Sequence, residues 1–222
     1  LLGQLSVGWS NDAVDATADA AAARADKPTV SAGLSQRTLL GAAIAVAVAA
    51  CALSWFVAGP VGGTCHVVGI AMGWLYNLRL SRTGWAWVTY AVAFGLLPSF
   101  VIVGLDGTWP PVWLTTAFAV IGVSAHLANS LRDIDADTAI GLGGPATRLG
   151  RRRTRVLAWV LLGVGAIIVA AAVAATNAVA AVIALVAIAI LMIASTRLGD
   201  ARAFATILAA GGVLAAVVII AA

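Results

Sequence analysis

Two short stretches of the chain gather oxygen-bearing side chains of the kind that bind divalent metal ions. The first, NDAVDATAD, covers residues 11–19, and the second, NSLRDIDAD, covers residues 129–137. Both place one asparagine and two aspartates at intervals of four: Asn11, Asp15, Asp19, and Asn129, Asp133, Asp137. This spacing predicts that each trio lies along one face of a helix. Such hard oxygen ligands suit Mg²⁺, which usually bridges carboxylates to substrate phosphates.

Further charged residues accompany both stretches. Asp12 adds a carboxylate to the first stretch and Asp135 adds one to the second. Carboxylates on one helical face repel one another unless positive charge lies between them. Cations beside metal-bound carboxylates fit a diphosphate, whose charge exceeds what the metals neutralise. The basic residues near the two stretches, or near Tyr76, are Arg24, Lys27, Arg79 and Arg132.

The elements that position these residues are predicted to be membrane-spanning helices. The 222 residues are 62% hydrophobic and 10% charged, whereas a soluble domain is nearer half apolar and a quarter charged. Apolar segments of about 20 residues recur along the chain, which indicates an all-α, multi-spanning transmembrane bundle rather than a β-barrel. We predict eight helices, at 1–22, 34–57, 60–80, 85–104, 110–130, 156–176, 178–196 and 201–222.

The charges of the chain indicate its orientation in the membrane. If the eight helices cross the membrane in alternating directions, four of their links lie on one side, near 23–33, 80–84, 131–155 and 197–200. Every lysine and arginine then lies in, or next to, one of these links. The opposite side carries only Asp106. By the positive-inside rule the basic side is cytoplasmic, so both acidic stretches lie at the cytoplasmic face of the cell membrane. The net charge of +4 therefore reflects topology, and we expect no nucleic-acid partner.

The motifs resemble those of the UbiA superfamily of intramembrane prenyltransferases. NDAVDATAD is similar to the family's N-D-x-x-D-x-x-x-D motif, and RADKP with Gly33 beyond it is similar to its R-x-[DK]-[RK]-P-x-x-x-G loop. NSLRDIDAD, followed by GLGGPATRLG, is similar to its second motif and the T-L-P-x-R-L-G segment after it. YNLRLSRTGW is similar to its Y-x-x-x-[LF]-K/R segment. The resemblance covers essentially the whole chain.

The resemblance implies nine helices around a central cavity, with both motifs at its cytoplasmic mouth. Eight helices are predicted here and Leu1 begins abruptly, so we expect residues 1–222 to be a single prenyltransferase domain that lacks the family's first helix. The implied partners are a polyprenyl diphosphate, a small acceptor and membrane lipid. The implied cofactor is Mg²⁺.

The resemblance implies roles for the residues of this chain that occupy the matching positions in the family's motifs. The implied metal ligands are Asn11, Asp12, Asp15 and Asp19 for one ion and Asp133 and Asp137 for the other. The implied diphosphate-binding residues are Asn11, Arg24, Lys27, Tyr76, Arg79, Asn129 and Arg132. The implied catalytic residues are Asp15, Asp19, Asp133 and Asp137. Two departures from the motif are Ser130, where many members have aspartate, and the additional Asp135.

The expected reaction is Mg²⁺-dependent transfer of a prenyl group to a small aromatic acceptor. Alternatives within the family are a non-aromatic acceptor, a polyprenyl phosphate that accepts a phosphoribosyl group, and terpene cyclisation. The sequence does not separate these. A different class, a divalent-cation transporter, usually has its site near the bilayer midplane. The carboxylates here cluster at one face, which favours the transferase.

Overall fold

The computed structural model describes residues 1–21, 27–131, 134–139, 144–198 and 200–221. Within these ranges the regular structure is entirely helical, as expected where lipid cannot hydrogen-bond to an exposed backbone. The elements are α1 Leu2–Val14, α2 Ala16–Ala21, α3 Pro28–Ser31, α4 Gln36–Leu75, a π-helix Tyr76–Leu80, α5 Ala86–Gly95, α6 Leu97–Asp106, α7 Val112–Ser130, α8 Ile134–Ala139, α9 Pro145–Leu149, α10 Arg151–Val173, α11 Ala178–Leu198 and α12 Asp200–Ala221.

Long apolar helices account for most of the described chain. Individual stretches long and apolar enough to cross a bilayer are 86–106, 112–130, 151–173 and 202–220, and residues 36–80 form a further stretch of 45 residues. A shorter apolar helix covers 178–194. The predicted all-α membrane bundle is therefore confirmed, and the chain is a multi-pass membrane protein.

The 45-residue stretch turns back on itself at Gly59. Gly59 has φ +66° and ψ −177°, a conformation that is accessible to glycine, and Pro60 follows it. Ser54 Oγ and His66 Nδ1 share a hydrogen bond of 2.6 Å. In a straight helix these residues would lie roughly 18 Å apart along the axis. The predicted break between residues 57 and 60 is therefore confirmed.

Other predicted boundaries differ from the structure. The predicted helix 85–104 is divided at Leu96, because Pro98 has no backbone N–H to donate to the Phe94 carbonyl and its ring crowds that carbonyl. The helix predicted from residue 156 begins at Arg151, directly after Gly150 at φ +76°. The short helices α3, α8 and α9 fall in predicted loops.

The chain forms two compact units. The first comprises Leu1–Ser81 and Ser99–Trp109, and α1 packs against α4 within it. The second comprises Arg82–Pro98 and Pro110–Ala222, and its helix α7 contacts α5, α10 and α12. The largest fully buried side chains of the second unit include Ile121, Leu131, Leu162, Ile207 and Leu214.

Gly122 allows α7 to approach α5 closely. A Cβ atom at this position would lie 2.6 Å from the Tyr90 backbone oxygen and 2.7 Å from Phe94 Cβ. Both distances are shorter than real Cβ contacts, so a larger residue would force the two helices apart. This contact fixes the half of α7 that carries Asn129 at its end.

Replacing Gly122 by valine is expected to destabilise the second unit by about 1–3 kcal/mol, because overpacking shifts both helices. Thermal unfolding in detergent measures the change. Gly163→Val is the matched control, since a Cβ at Gly163 meets no atom within 4 Å. Equal unfolding temperatures for the two variants would contradict the close approach.

Candidate active site

The first acidic stretch keeps its four-residue register across an interrupted helix. Helix α1 ends at Val14, Asp15 adopts φ −88° and ψ 0°, and α2 begins at Ala16. The Asp15 N–H still donates to the Asn11 carbonyl at 2.9 Å, and the Asp19 N–H donates to the Asp15 carbonyl at 2.8 Å. The predicted continuous helix over 1–22 is therefore wrong at Asp15. Aspartate disfavours a helix interior because its short carboxylate competes for nearby backbone groups.

Side chains of this stretch contact one another and Lys27. Asn11 Nδ2 donates to Asp15 Oδ2 at 3.1 Å. Lys27 Nζ lies 2.6 Å from Asp12 Oδ1, and each of these two side chains is only 17% exposed. Asp19 is 2% exposed, so its carboxylate faces protein rather than solvent. The structure thus brings predicted metal-binding and diphosphate-binding residues into direct contact.

The π-helix holds the end of α1 through Asn77. The buried Asn77 donates from Nδ2 to the Val7 carbonyl and to Ser10 Oγ, both at 2.8 Å. One helical turn earlier, Trp74 Nε1 donates to Ser6 Oγ at 2.7 Å. Ser10 immediately precedes Asn11, so these bonds fix the backbone that enters the acidic stretch. Single π-helical turns are frequent at functional sites.

The remaining residues predicted for the first unit are described in part. Tyr76 begins the π-helix and is half-buried. Arg79 lies in its last turn and is exposed. Arg24 lies outside the described residues, so its predicted role stays a prediction.

In the second unit, Asn129 lies in the last turn of α7. Its Nδ2 donates to the Tyr90 hydroxyl at 3.4 Å, a long hydrogen bond. The Tyr90 ring lies 5.2 Å from the ring of the buried His126, at an interplanar angle of 46°. An aromatic cluster on α5 and α7 therefore borders the start of the second acidic stretch.

The other residues of the second stretch are less fully described. Arg132 and Asp133 lie outside the described residues. Asp137 belongs to α8, and its side chain also lies outside them.

The additional carboxylate of the second stretch is used in an ion pair. Arg151 Nη2 lies 2.7 Å from Asp135 Oδ2, and Arg151 Nη1 donates to the Leu131 carbonyl at 3.2 Å. Asp135 is 81% exposed, so the pair contributes little to stability. Arg151 therefore links α10 to the segment that carries Asp135.

The donor set of the first stretch fits a magnesium ion that is also bound by substrate. The bond between Asn11 and Asp15 uses the amide nitrogen of Asn11, whereas Mg²⁺ binds oxygen atoms of amides and carboxylates. Among the described residues, no three His, Cys, Asp or Glu side chains form a metal-binding group. Mg²⁺ commonly takes one or two carboxylates and completes its shell with water and substrate phosphates.

The UbiA prenyltransferase family model matches residues 1–210. The chain belongs to the UbiA prenyltransferase family. Family membership implies prenyl transfer within the membrane, in agreement with the apolar helices. No curated protein and no solved structure matches the chain.

Two polar residues near the acidic stretches were not predicted from the sequence as site residues. Asn77 is the one amide within the apolar run from 64 to 78, a position where an unpartnered polar group is costly. Tyr90 is one of only two tyrosines in the chain, and Tyr76 is the other. Isolated polar groups inside predicted spans are the signal that identifies both.

Asn77→Leu is expected to lower the free energy of unfolding by about 1–3 kcal/mol, because the Val7 carbonyl and Ser10 hydroxyl lose a buried donor. The variant should also need more Mg²⁺ for half-maximal activity, since the end of α1 is no longer fixed. Thermal unfolding and Mg²⁺ titration measure the two effects. Leu78→Ala, on the exposed neighbour, is the control and should change neither. If Asn77→Leu keeps the stability and the Mg²⁺ requirement of the original protein, Asn77 does not hold the end of α1 in place.

Proposed function

We propose that this protein is an Mg²⁺-dependent prenyltransferase of the cytoplasmic membrane. It transfers the prenyl group of a polyprenyl diphosphate to a small aromatic acceptor, with both acidic stretches at the cytoplasmic face. The observation that carries the proposal is the arrangement around the first stretch. There, Asn11 is bonded to Asp15 while Lys27 is paired with Asp12, which places cation and carboxylates together.

This arrangement suits a diphosphate better than a free metal ion. Lys27 sits at the N-cap of α3, where its backbone carbonyl accepts hydrogen bonds from the Val30 N–H at 3.0 Å and the Ser31 N–H at 2.8 Å. Its ammonium group lies 2.6 Å from Asp12 Oδ1, within the first acidic stretch. An ammonium in this position donates hydrogen bonds to phosphate oxygens as well as to Asp12. Family membership supports prenyl transfer over cation transport.

The chain's residues contribute binding and charge stabilisation during cleavage of the prenyl C–O bond. When bound, Mg²⁺ neutralises charge that builds on the departing diphosphate. Asn11, Asp12, Asp15 and Asp19 would hold the ion at the first stretch, and Asp133 and Asp137 would hold a second. Lys27 donates to the leaving oxygens, so the positive charge needed at cleavage is in place beforehand.

The electron pair of the broken bond leaves with the diphosphate, and an allylic cation remains. An electron-rich carbon of the acceptor attacks this cation, and the acceptor then loses a proton. Apolar helices around the site exclude water, which would otherwise capture the cation. No protein nucleophile takes part in these steps.

The decisive experiment uses the protein purified in detergent. Labelled polyprenyl diphosphates of several lengths are incubated with aromatic and non-aromatic acceptors. Diphosphate release that requires Mg²⁺ and stops with a chelator is expected, together with an acceptor product heavier by one prenyl group. Absence of release with every donor would overturn the proposal. If the product is a cyclised hydrocarbon or carries a phosphoribosyl group, the protein catalyses one of the other reactions of the family.

Asp15→Ala and Asp133→Ala are each expected to abolish turnover while membrane insertion stays intact, because each removes a metal ligand. Asp106→Ala is the matched control. The Asp106 carboxylate accepts bonds only from its own turn in the described structure, at 2.8 Å from Thr108 N and 2.7 Å from Thr108 Oγ1. Steady-state turnover rates are measured in membranes for the two motif variants and for Asp106→Ala. Retained turnover in either motif variant would show that the metal assignment is wrong.

Lys27→Met is expected to raise the KM for the prenyl diphosphate roughly 10- to 100-fold, since a hydrogen bond to a charged group is lost. Lys27→Arg should recover part of the affinity, because the charge is kept. Arg37→Met is the control because it also removes one positive charge, from an exposed position in the first turn of α4. A KM that is unchanged in Lys27→Met would contradict contact between this residue and the diphosphate.

A further inference from the structure

An open groove of about 660 Å³ lies at the N-terminal end of α10, outside the residues assigned to the reaction. Its polar end is lined by Arg152 and Arg153, both exposed. Its apolar part is lined by Val156, Leu157 and Val160. Residues 152 and 160 are separated by roughly 12 Å along the helix axis. The groove therefore changes from cationic to apolar within about two helical turns.

The position of the groove relative to the membrane follows from its helix. Arg151–Val173 is 23 residues long and apolar enough to cross a bilayer. The arginines in its first turn consequently lie at the membrane surface, while Val156 and Val160, which are 55% and 52% exposed, point towards the hydrocarbon. This is the polarity profile of an amphiphile with a charged head and an apolar tail.

The charge of the groove favours a phosphate group. Arginine presents a planar set of donors that matches phosphate oxygens, and the N-terminus of a long helix adds partial positive charge. Arg151 already uses its guanidinium in bonds to the Leu131 carbonyl and to Asp135. Arg152 and Arg153 are therefore the two side chains in this turn that are exposed to an external anion.

We propose that this groove binds an anionic phospholipid, with its phosphate headgroup at Arg152 and Arg153 and an acyl chain along Val156, Leu157 and Val160. A phospholipid fits better than a soluble phosphate because half of the groove is apolar and faces the bilayer. It fits better than the prenyl diphosphate because none of the described residues that line the groove is an aspartate that could hold the metal such a substrate carries. The site is independent of the proposed reaction.

Native mass spectrometry of the detergent-purified protein, titrated with phosphatidylglycerol, tests this site. Each arginine near an anionic membrane surface contributes about five-fold to affinity, so Arg152→Gln with Arg153→Gln should weaken binding roughly 25-fold. Arg202→Gln is the matched control, since Arg202 is an exposed arginine in the first turn of α12 and does not line the groove. The affinity of the Arg202→Gln variant for phosphatidylglycerol should stay within about two-fold of that of the unaltered protein.

Further titrations separate the possible ligands. Val156→Ser with Val160→Ser should also weaken phosphatidylglycerol binding, because the acyl chain loses apolar contact, and both positions are exposed enough to tolerate the change. Phosphatidylcholine should bind at least ten-fold more weakly than phosphatidylglycerol. Displacement of the lipid by inorganic phosphate or geranylgeranyl diphosphate would overturn the lipid assignment. An equal loss in Arg202→Gln would overturn the site itself, because the binding would then follow overall surface charge.

Discussion

A charged side chain in the hydrocarbon core costs about 2.5–3.5 kcal/mol at the centre of a helix, and this cost determines where chemistry can occur in the chain. The described aspartates of both acidic stretches lie in the last turn of α1, directly after it, or in the short helices α2 and α8, rather than within the long spans. Where a carboxylate is partly buried, a partner accompanies it, as Lys27 accompanies Asp12. A site for a diphosphate can therefore form only at a membrane face, where the spans end and the charged residues gather.

The apolar helices supply the support that this placement requires. Lipid offers no polar partners, so hydrogen bonds between helices and close packing at small residues hold the spans together. Asn77 and Trp74 bind α1 in the first unit, directly before the first acidic stretch. In the second unit, the close approach at Gly122 and the Tyr90 contacts fix the part of α7 that precedes the second stretch. These contacts therefore position the backbone that leads into each acidic stretch.

Length and apolar composition were sufficient to predict the helical membrane fold, because a span needs about 20 apolar residues wherever it occurs. The turn at Gly59 and Pro60 was predictable from residue types with strong local preferences. The π-helix was not, since it depends on contacts made by the folded chain, such as those of Asn77. The four-residue spacing predicted that Asn11 and Asp15 lie on one helix face, whereas the ion pair of Lys27 with Asp12, fifteen residues apart, was not predicted. The single domain and the central cavity stay predictions, as do the roles of Arg24, Arg132 and Asp133.

The proposal that each acidic stretch binds a metal ion is tested most directly by counting bound Mn²⁺, a paramagnetic substitute for Mg²⁺. Electron paramagnetic resonance of the purified protein, with an unreactive thio analogue of a prenyl diphosphate, gives this number. Two ions per chain are expected with the analogue, and one ion should be lost in Asp15→Asn or in Asp133→Asn. An unchanged number of ions in both variants, with the analogue still bound, would contradict the proposal.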